Sequence, residues 1–314
     1  MRKLPALLAV LGLTAVGLAG CALPAGYESC SRPESTSSAT DLVTVSGEAG
    51  QKPDVSVHTP FHVDKASFSD VVTGDGPALE AAAQPVVLDI TIYSGTTGEQ
   101  LVATQYNDDL SRVNSFERWQ QAVPAFQKTL ECATEGSRVV VAIPPGGVEA
   151  ETAASIGLAE DDSAVAVVDL QKVYLPRAQG SLVYNDAMGM PTVVRAPDGR
   201  PGIIVPDAPA PDKLVAQTLI KGDGATVSGD QPIRVNTTSV SWDDRSVLDS
   251  TWDADAASTT LDTLVPGAAK ALGEVTVGSQ LLVVVPADKG SDATPGSARV
   301  LVIDILGTDT PPQQ

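Results

Sequence analysis

Aromatic side chains make up only 4% of this 314-residue chain, histidine occurs twice and cysteine three times. Each scarcity closes a class of function. The two histidines, His58 and His62, stand four apart, but Pro60 between them disfavours the helix that would put both on one face. They read as surface or edge residues. The sequence contains no zinc-spaced cluster, no Gly-x-Ser-x-Gly elbow and no phosphate-binding Walker loop. Hydrolase, nucleotide-binding and redox chemistry therefore have no residues to stand on, and no metal or cofactor is expected. Basic residues are also few: 20 Lys and Arg face 39 Asp and Glu, for a net charge of -19. That balance argues against nucleic acid, or anionic lipid headgroups, as partners of a basic patch. The acidic pairs Asp243-Asp244 and Asp253/Asp255 lack the glycine and glutamate pattern of a calcium loop, and read as solvated surface.

The one apolar stretch of note is Leu4 to Leu18, preceded by Arg2 and Lys3. It is short for a membrane span and fits a cleaved signal over residues 1–20. It closes on Leu18-Ala19-Gly20-Cys21, which resembles a bacterial lipobox. The resemblance implies a diacylglycerol on Cys21, acylation of the new N-terminus and attachment to the outer face of the cell membrane. Ala, Val, Asp and Thr are plentiful and Lys is sparse, a usage that points to a GC-rich genome such as an actinobacterium's. After processing, Cys30 and Cys132 remain. An even pair outside the cytoplasm points to a disulfide, the alternative being two free buried thiols.

What the chain does have is a repeat. Gly74-Asp75-Gly76, Gly136-Ser137, Arg138 to Ile143 ending in Pro144-Pro145, and Val165 to Leu170 recur roughly 150 residues later. The second copy is Gly222-Asp223-Gly224, Gly278-Ser279, Leu281 to Val285 ending in Pro286, and Val300 to Leu306. A repeated order of turn, strand, turn and strand implies two domains of one fold. Residues 21–54 read as a flexible stem, 55–180 as the first domain, 181–211 as a proline-rich linker, 212–308 as the second domain and 309–314 as a polar tail. Helix is scarce. Pro124 to Leu130, with Phe126 and Leu130 on one face, is the best candidate in the first half, and Pro266, Ala268 and Leu272 repeat it. One short helix against an antiparallel sheet is an α+β arrangement.

The same strings resemble FKBP-type peptidyl-prolyl isomerases, and the whole chain is similar to tandem FKBP-like lipoproteins of actinobacteria. The resemblance rests on Gly74-Asp75-Gly76, Tyr93-Ser94-Gly95, Val123-Pro124, Gly136-Ser137-Arg138, Ile143-Pro144-Pro145 and Val168-Asp169 in the first half. In the second it rests on Gly222-Asp223-Gly224, Leu248-Asp249-Ser250, Val265-Pro266-Gly267, Gly278-Ser279, Val285-Pro286 and Val302-Ile303-Asp304. It implies a curved antiparallel sheet around one short helix in each domain. It also implies rotation about the bond preceding proline in segments of secreted or envelope proteins. The barrier to that rotation is about 18–20 kcal/mol. A dry apolar pocket that strips water from the amide and holds it twisted lowers it without nucleophile or metal.

The implied pocket is unevenly kept. In the first domain Tyr93 falls on the family's wall tyrosine, Phe126 on its floor tryptophan, and Val123 and Ile143 on apolar neighbours, while Leu101-Val102 replace Phe-Asp. The second domain keeps the carboxylate in Asp249 and the pair Leu264-Val265. There, Thr238 replaces the wall tyrosine, Ala268 the floor and Lys289 a further tyrosine. This first domain is degenerate but the better candidate. The implied activity is a membrane-anchored isomerase of weak turnover; the alternative is a catalytically inactive FKBP-like chaperone or peptide-binding adaptor.

Overall fold

The computed structural model describes residues 30–34, 38–184, 187–287 and 297–309. The signal segment, Cys21, Lys289 and nearly all of the polar tail lie outside these residues. Strands in the first half are β1 (Val43–Ser46), β2 (Asp54–Val57), β3 (Ser67–Val72), β4 (Pro85–Ser94), β5 (Gln100–Ala103), β6 (Asn114–Ser115), β7 (Arg138–Ile143) and β8 (Ala164–Val173). Those in the second are β9 (Ser181–Leu182), β10 (Thr192–Arg195), β11 (Pro201–Ile204), β12 (Val215–Lys221), β13 (Thr226–Val227), β14 (Ile233–Ser241), β15 (Val247–Ser250), β16 (Ala257–Thr259), β17 (Val275–Thr276), β18 (Gln280–Val285) and β19 (Arg299–Thr308). The helices are α1 (Phe116–Ala122), α2 (Phe126–Thr129) and α3 (Ala150–Ile156), then α4 (Leu261–Leu264) and α5 (Ala268–Leu272).

The repeat is visible in the strand order. The first sheet runs β5-β4-β8-β7-β3 and the second β15-β14-β19-β18-β12, with β9 added at one edge. All of these pairings are antiparallel. β4 and β7 are buried at every position. An antiparallel strand with one wet face would alternate instead. Their near-continuous apolar sequence follows from cover on both faces.

The second cover is what the sequence reading left out. The supposed stem of residues 21–54 contains a 3-10 turn, Ser38–Leu42, and a hairpin of β1 and β2. Val43, Val45, Val55 and Val57 alternate with polar residues and pack on Val140, Val165 and Val167 of the first sheet. The supposed linker of residues 181–211 contains an equivalent hairpin of β10 and β11. Its Val193 and Ile203 pack on Val240, Leu282, Val284 and Val302 of the second sheet. Each unit is therefore a hairpin followed by a sheet, with helices on the opposite face. The expectation of one helix per domain also needs correction: α1 and α3 accompany α2, and α4 accompanies α5. These extra helices are four to seven residues long. Helices so short owe their formation to packing and leave little periodic signal in sequence.

The turn motifs that announced the repeat have a shared physical cause. Gly74 N–H donates to Ser137 Oγ at 2.9 Å, and Thr134 Oγ1 donates to the Gly74 carbonyl at 2.7 Å. Gly222, Ser279 and Thr276 repeat both bonds at 3.1 and 2.6 Å. A side chain at Gly74 would put its Cβ 1.9 Å from the Glu135 carbonyl oxygen, and at Gly222 2.1 Å from that of Val277. Glycine is thus required at both positions by close backbone approach.

Cys30 and Cys132 form a disulfide with a sequence separation of 102. Beside it Arg32 makes two hydrogen bonds to Asp70, at 3.1 and 2.8 Å, and its guanidinium lies 3.9 Å from the Phe68 ring centre. These contacts fasten the segment that leads into the first hairpin. The two halves meet at Tyr174, which is buried with Ala256 and Leu306. Its hydroxyl donates to Asp309 at 2.7 Å, and Leu175 N–H donates to the Leu306 carbonyl at 2.9 Å.

Candidate functional site

The inner face of the first sheet and its helices enclose an apolar cluster, and three of the expected pocket residues converge there. Val123 caps α1, Phe126 opens α2 and Ile143 ends β7; all belong to this one cluster, with Leu130, Val148 and Leu158. Their exposures are 3%, 0% and 0%. They form filled core rather than the wall of an open hollow.

Tyr93 is not among them. In a strand, side chains alternate between faces. Ile92 pairs with Ala166 and faces the helices; Tyr93 pairs with Val165 and faces the hairpin. There it is buried with Phe61, Val140, Ala142 and Val167. Burial, then the nearby Asp54 carboxylate, push its phenol pKa up. The expected shared hollow of Tyr93 and Phe126 is therefore corrected: the two rings lie on opposite faces of one sheet. The face follows from alternation, since Ile90 and Ile92 of β4 face the helices, and a separate error lies in the register. Thr238 pairs with Val302 and Ser250, and the matching residue of the first sheet, pairing with Val167 and Ala103, is Thr91. Aligning Tyr93 with Thr238 shifts the strand by two.

The second domain brings together less. Val265 is buried and Leu264 half-buried against an apolar cluster that includes Ala268, Leu261 and Val283. Asp249 is exposed on the edge strand β15, opposite Ser239, and does not join them. The backbone N–H groups of Val123 and Val265 are engaged within the chain. Val123 N–H donates to the Trp119 carbonyl at 2.8 Å and Val265 N–H to the Leu261 carbonyl at 3.0 Å.

Sequence reasoning missed the rim. Leu101, Trp119, Ala122 and Ile156, from β5, α1 and α3, are half-buried and pack against the first core. Trp119 Nε1 is buried without a hydrogen-bond partner. A buried orphan donor costs about 1–3 kcal/mol. The sequence signal existed, since Trp119 stands three residues before Ala122 on one face of α1, but α1 itself was not expected. Together these side chains present a half-buried apolar surface beside the sealed core. Among the described residues no group of three or more His, Cys, Asp and Glu is placed to hold a metal ion. Among them, too, no helix is long and apolar enough to cross a membrane.

No protein-family model and no curated protein matches the chain. Solved structures that resemble it are FKBP-type proteins, multi-domain ones included. The three FKBP domains of wheat FKBP73 match at 11% identity over 78% of this chain and 94% of that one, with a TM-score of 0.32. FkpA from Escherichia coli matches at 19% identity over 40% of this chain and 55% of that one, at 0.29. A peptidyl-prolyl cis-trans isomerase from Pseudomonas syringae matches at 18% identity over 31% and 76%, at 0.26.

Proposed function

We propose that this chain is an FKBP-like helper of secreted or envelope proteins, anchored through Cys21 to the outer face of the cell membrane, that engages proline-bearing segments with low isomerase turnover. The observation that carries the reading is the state of the first pocket. Val123, Phe126 and Ile143 still converge beside a half-exposed apolar rim, yet all three are sealed, and Tyr93 lies across the sheet. Twisting a prolyl amide needs a dry cavity that admits the ring. Here the ring meets the rim of Leu101, Trp119, Ala122 and Ile156 and does not reach the Phe126 floor. Gripping survives while twisting fades. The Cys30–Cys132 disulfide supports an oxidising compartment.

A protease-coupled proline-peptide assay on the mature chain tests this. We expect measurable binding of proline peptides with less than about tenfold acceleration, equivalent to about 1.4 kcal/mol off the barrier. A rate gain of about a thousandfold or more overturns the reading in favour of a competent isomerase. The engaged N–H groups of Val123 and Val265 favour the second reading, an adaptor that binds with no turnover at all; it is chosen if binding is seen at the uncatalysed rate. Loss of palmitate labelling in a Cys21→Ala chain tests the anchor.

A further inference from the structure

The segment between β7 and β8 carries a cleft separate from the sealed core, about 480 Å³ in volume. Its floor is apolar: Val148, Ala153 and Leu158 belong to the first core cluster and show their outer surface here. Its lining includes three carboxylates, Glu149, Glu160 and Asp162, and no lysine or arginine. Val123, Phe126 and Ile143 do not line it. Two of the carboxylates are held in place. Glu149 accepts from the N–H groups of Glu151 and Thr152 at 3.0 and 2.8 Å, and Asp162 accepts from Thr96 Oγ1 at 2.7 Å. The helix N–H groups keep the Glu149 carboxyl below the ordinary glutamate range, so it stays ionised.

We propose that this cleft receives the side chain of a lysine or arginine in an extended client segment. The chemistry matches in two parts. The methylene stem of such a side chain lies on the alanine and leucine floor, while its cationic head meets the carboxylate rim. A purely apolar side chain would leave the carboxylates without a counter-charge, and an acidic one would be repelled by them. The proposal builds on the client-binding reading above and names the class of segment preferred: one with a basic residue beside its proline.

Four labelled peptides that combine Lys or Glu at one position with Pro or Ala at the next, titrated by fluorescence anisotropy against the mature chain, test it. We expect the Lys peptides to bind about tenfold or more tightly than their Glu counterparts. Glu160→Gln should weaken the Lys peptides about two- to fivefold, the scale of one exposed ion pair. Ala154→Trp, at an exposed position of the lining, should fill the cleft and remove Lys-peptide binding with the melting transition unchanged. Equal binding of Lys and Glu peptides, or undiminished Lys-peptide binding to Ala154→Trp, overturns the proposal. A lysine preference with equal binding of the proline and alanine peptides supports the cleft and refutes the proline reading. A proline preference without a lysine preference does the reverse.

Discussion

Asp169 and Asp304 occupy the same place in the two sheets, and the two domains neutralise them differently. In the first, Arg138 of β7 lies beside Asp169, with Nε 2.7 Å from Oδ1 and Nη2 2.8 Å from Oδ2. The same guanidinium donates to the Gly47 carbonyl at 3.1 Å and to that of Gln51, both in the turn of the first hairpin. In the second, Gln280 stands where Arg138 stood and donates to Asp304 at 2.7 Å. The arginine has moved to the hairpin: Arg195 of β10 donates to Gln280 Oε1 at 2.8 Å. Ala178 N–H, from the segment joining the domains, completes the set at 2.9 Å. One requirement, a buried carboxylate tying hairpin to sheet, is thus met by two arrangements of the same charges. The difference teaches that the hairpins belong to the repeated unit, because the polar anchor of each sheet is built to include its hairpin.

The exteriors of the hairpins diverge as well. The outward residues of the first, Thr44, Ser46 and Ser56, are polar. Those of the second include Val194 and Ile204, at 52% and 55% exposure.

Breaking the two anchors separates them most sharply. Arg138 and Asp169 are 0% and 2% exposed, so Arg138→Ala leaves an uncompensated buried charge. We expect a loss of about 3–5 kcal/mol. Gln280→Ala removes a neutral donor while Ala178 N–H remains, and should cost about 1–3 kcal/mol. Urea unfolding followed by circular dichroism measures both. Equal losses would mean that Gln280 secures Asp304 as fully as Arg138 secures Asp169.

The pH response sharpens the comparison. Burial, opposed by the Ala178 and Gln280 hydrogen bonds and by Arg195 and Arg177, pushes the Asp304 carboxyl up to about 6. Burial also raises Asp169, where the Arg138 hydrogen bonds and charge offset it in part. A carboxyl whose folded pKa exceeds its unfolded value holds its proton more tightly when folded. Its contribution is therefore greatest at low pH and falls as pH rises from about 4 through about 6. Asp304→Asn removes that dependence. Relative to the parent, the variant should gain about 2 kcal/mol in unfolding free energy between pH 4 and pH 7. A constant gap across that range would refute the assignment.

How much of this was legible follows from what each residue advertises. Val139 to Ile143 and Val165 to Leu170 read as central strands because both faces are covered and the run is unbroken. The duplicated Gly-Asp-Gly and Gly-Ser strings were legible because backbone crowding admits no other residue at Gly74 and Gly222. The hairpins were hidden by polar neighbours: Val43-Thr44-Val45-Ser46 is a short alternation inside a Ser- and Thr-rich tract that resembles stem. The pocket was misread at Tyr93 for a stricter reason. Its face is set by alternation with Ile92, which a strand buried at every position does not reveal in sequence, and the two-residue shift against Thr238 shows only in the pairing partners Val165 and Val167. Arg138, a charge at the head of an apolar run, was the visible sign of the anchor.

The smallest expected effect tests the repeat itself. Ser137 and Ser279 are 3% and 1% exposed and accept from Gly74 and Gly222 N–H at 2.9 and 3.1 Å. Each also lies 3.1 Å from its partner threonine hydroxyl, Thr134 or Thr276. Replacing either serine by alanine leaves an N–H unsatisfied, buried at Gly222 and half-buried at Gly74, at about 1–3 kcal/mol. Since the serine and threonine bonds recur in both turns, the two losses should agree within about 1 kcal/mol, and the double variant should lose their sum, as distant sites do. A clear inequality in urea titrations would show that one turn is held by contacts the other lacks. The candidate is the Gly278 carbonyl in the second, which accepts from Gln179 N–H at 2.9 Å, so that turn also receives the segment joining the domains.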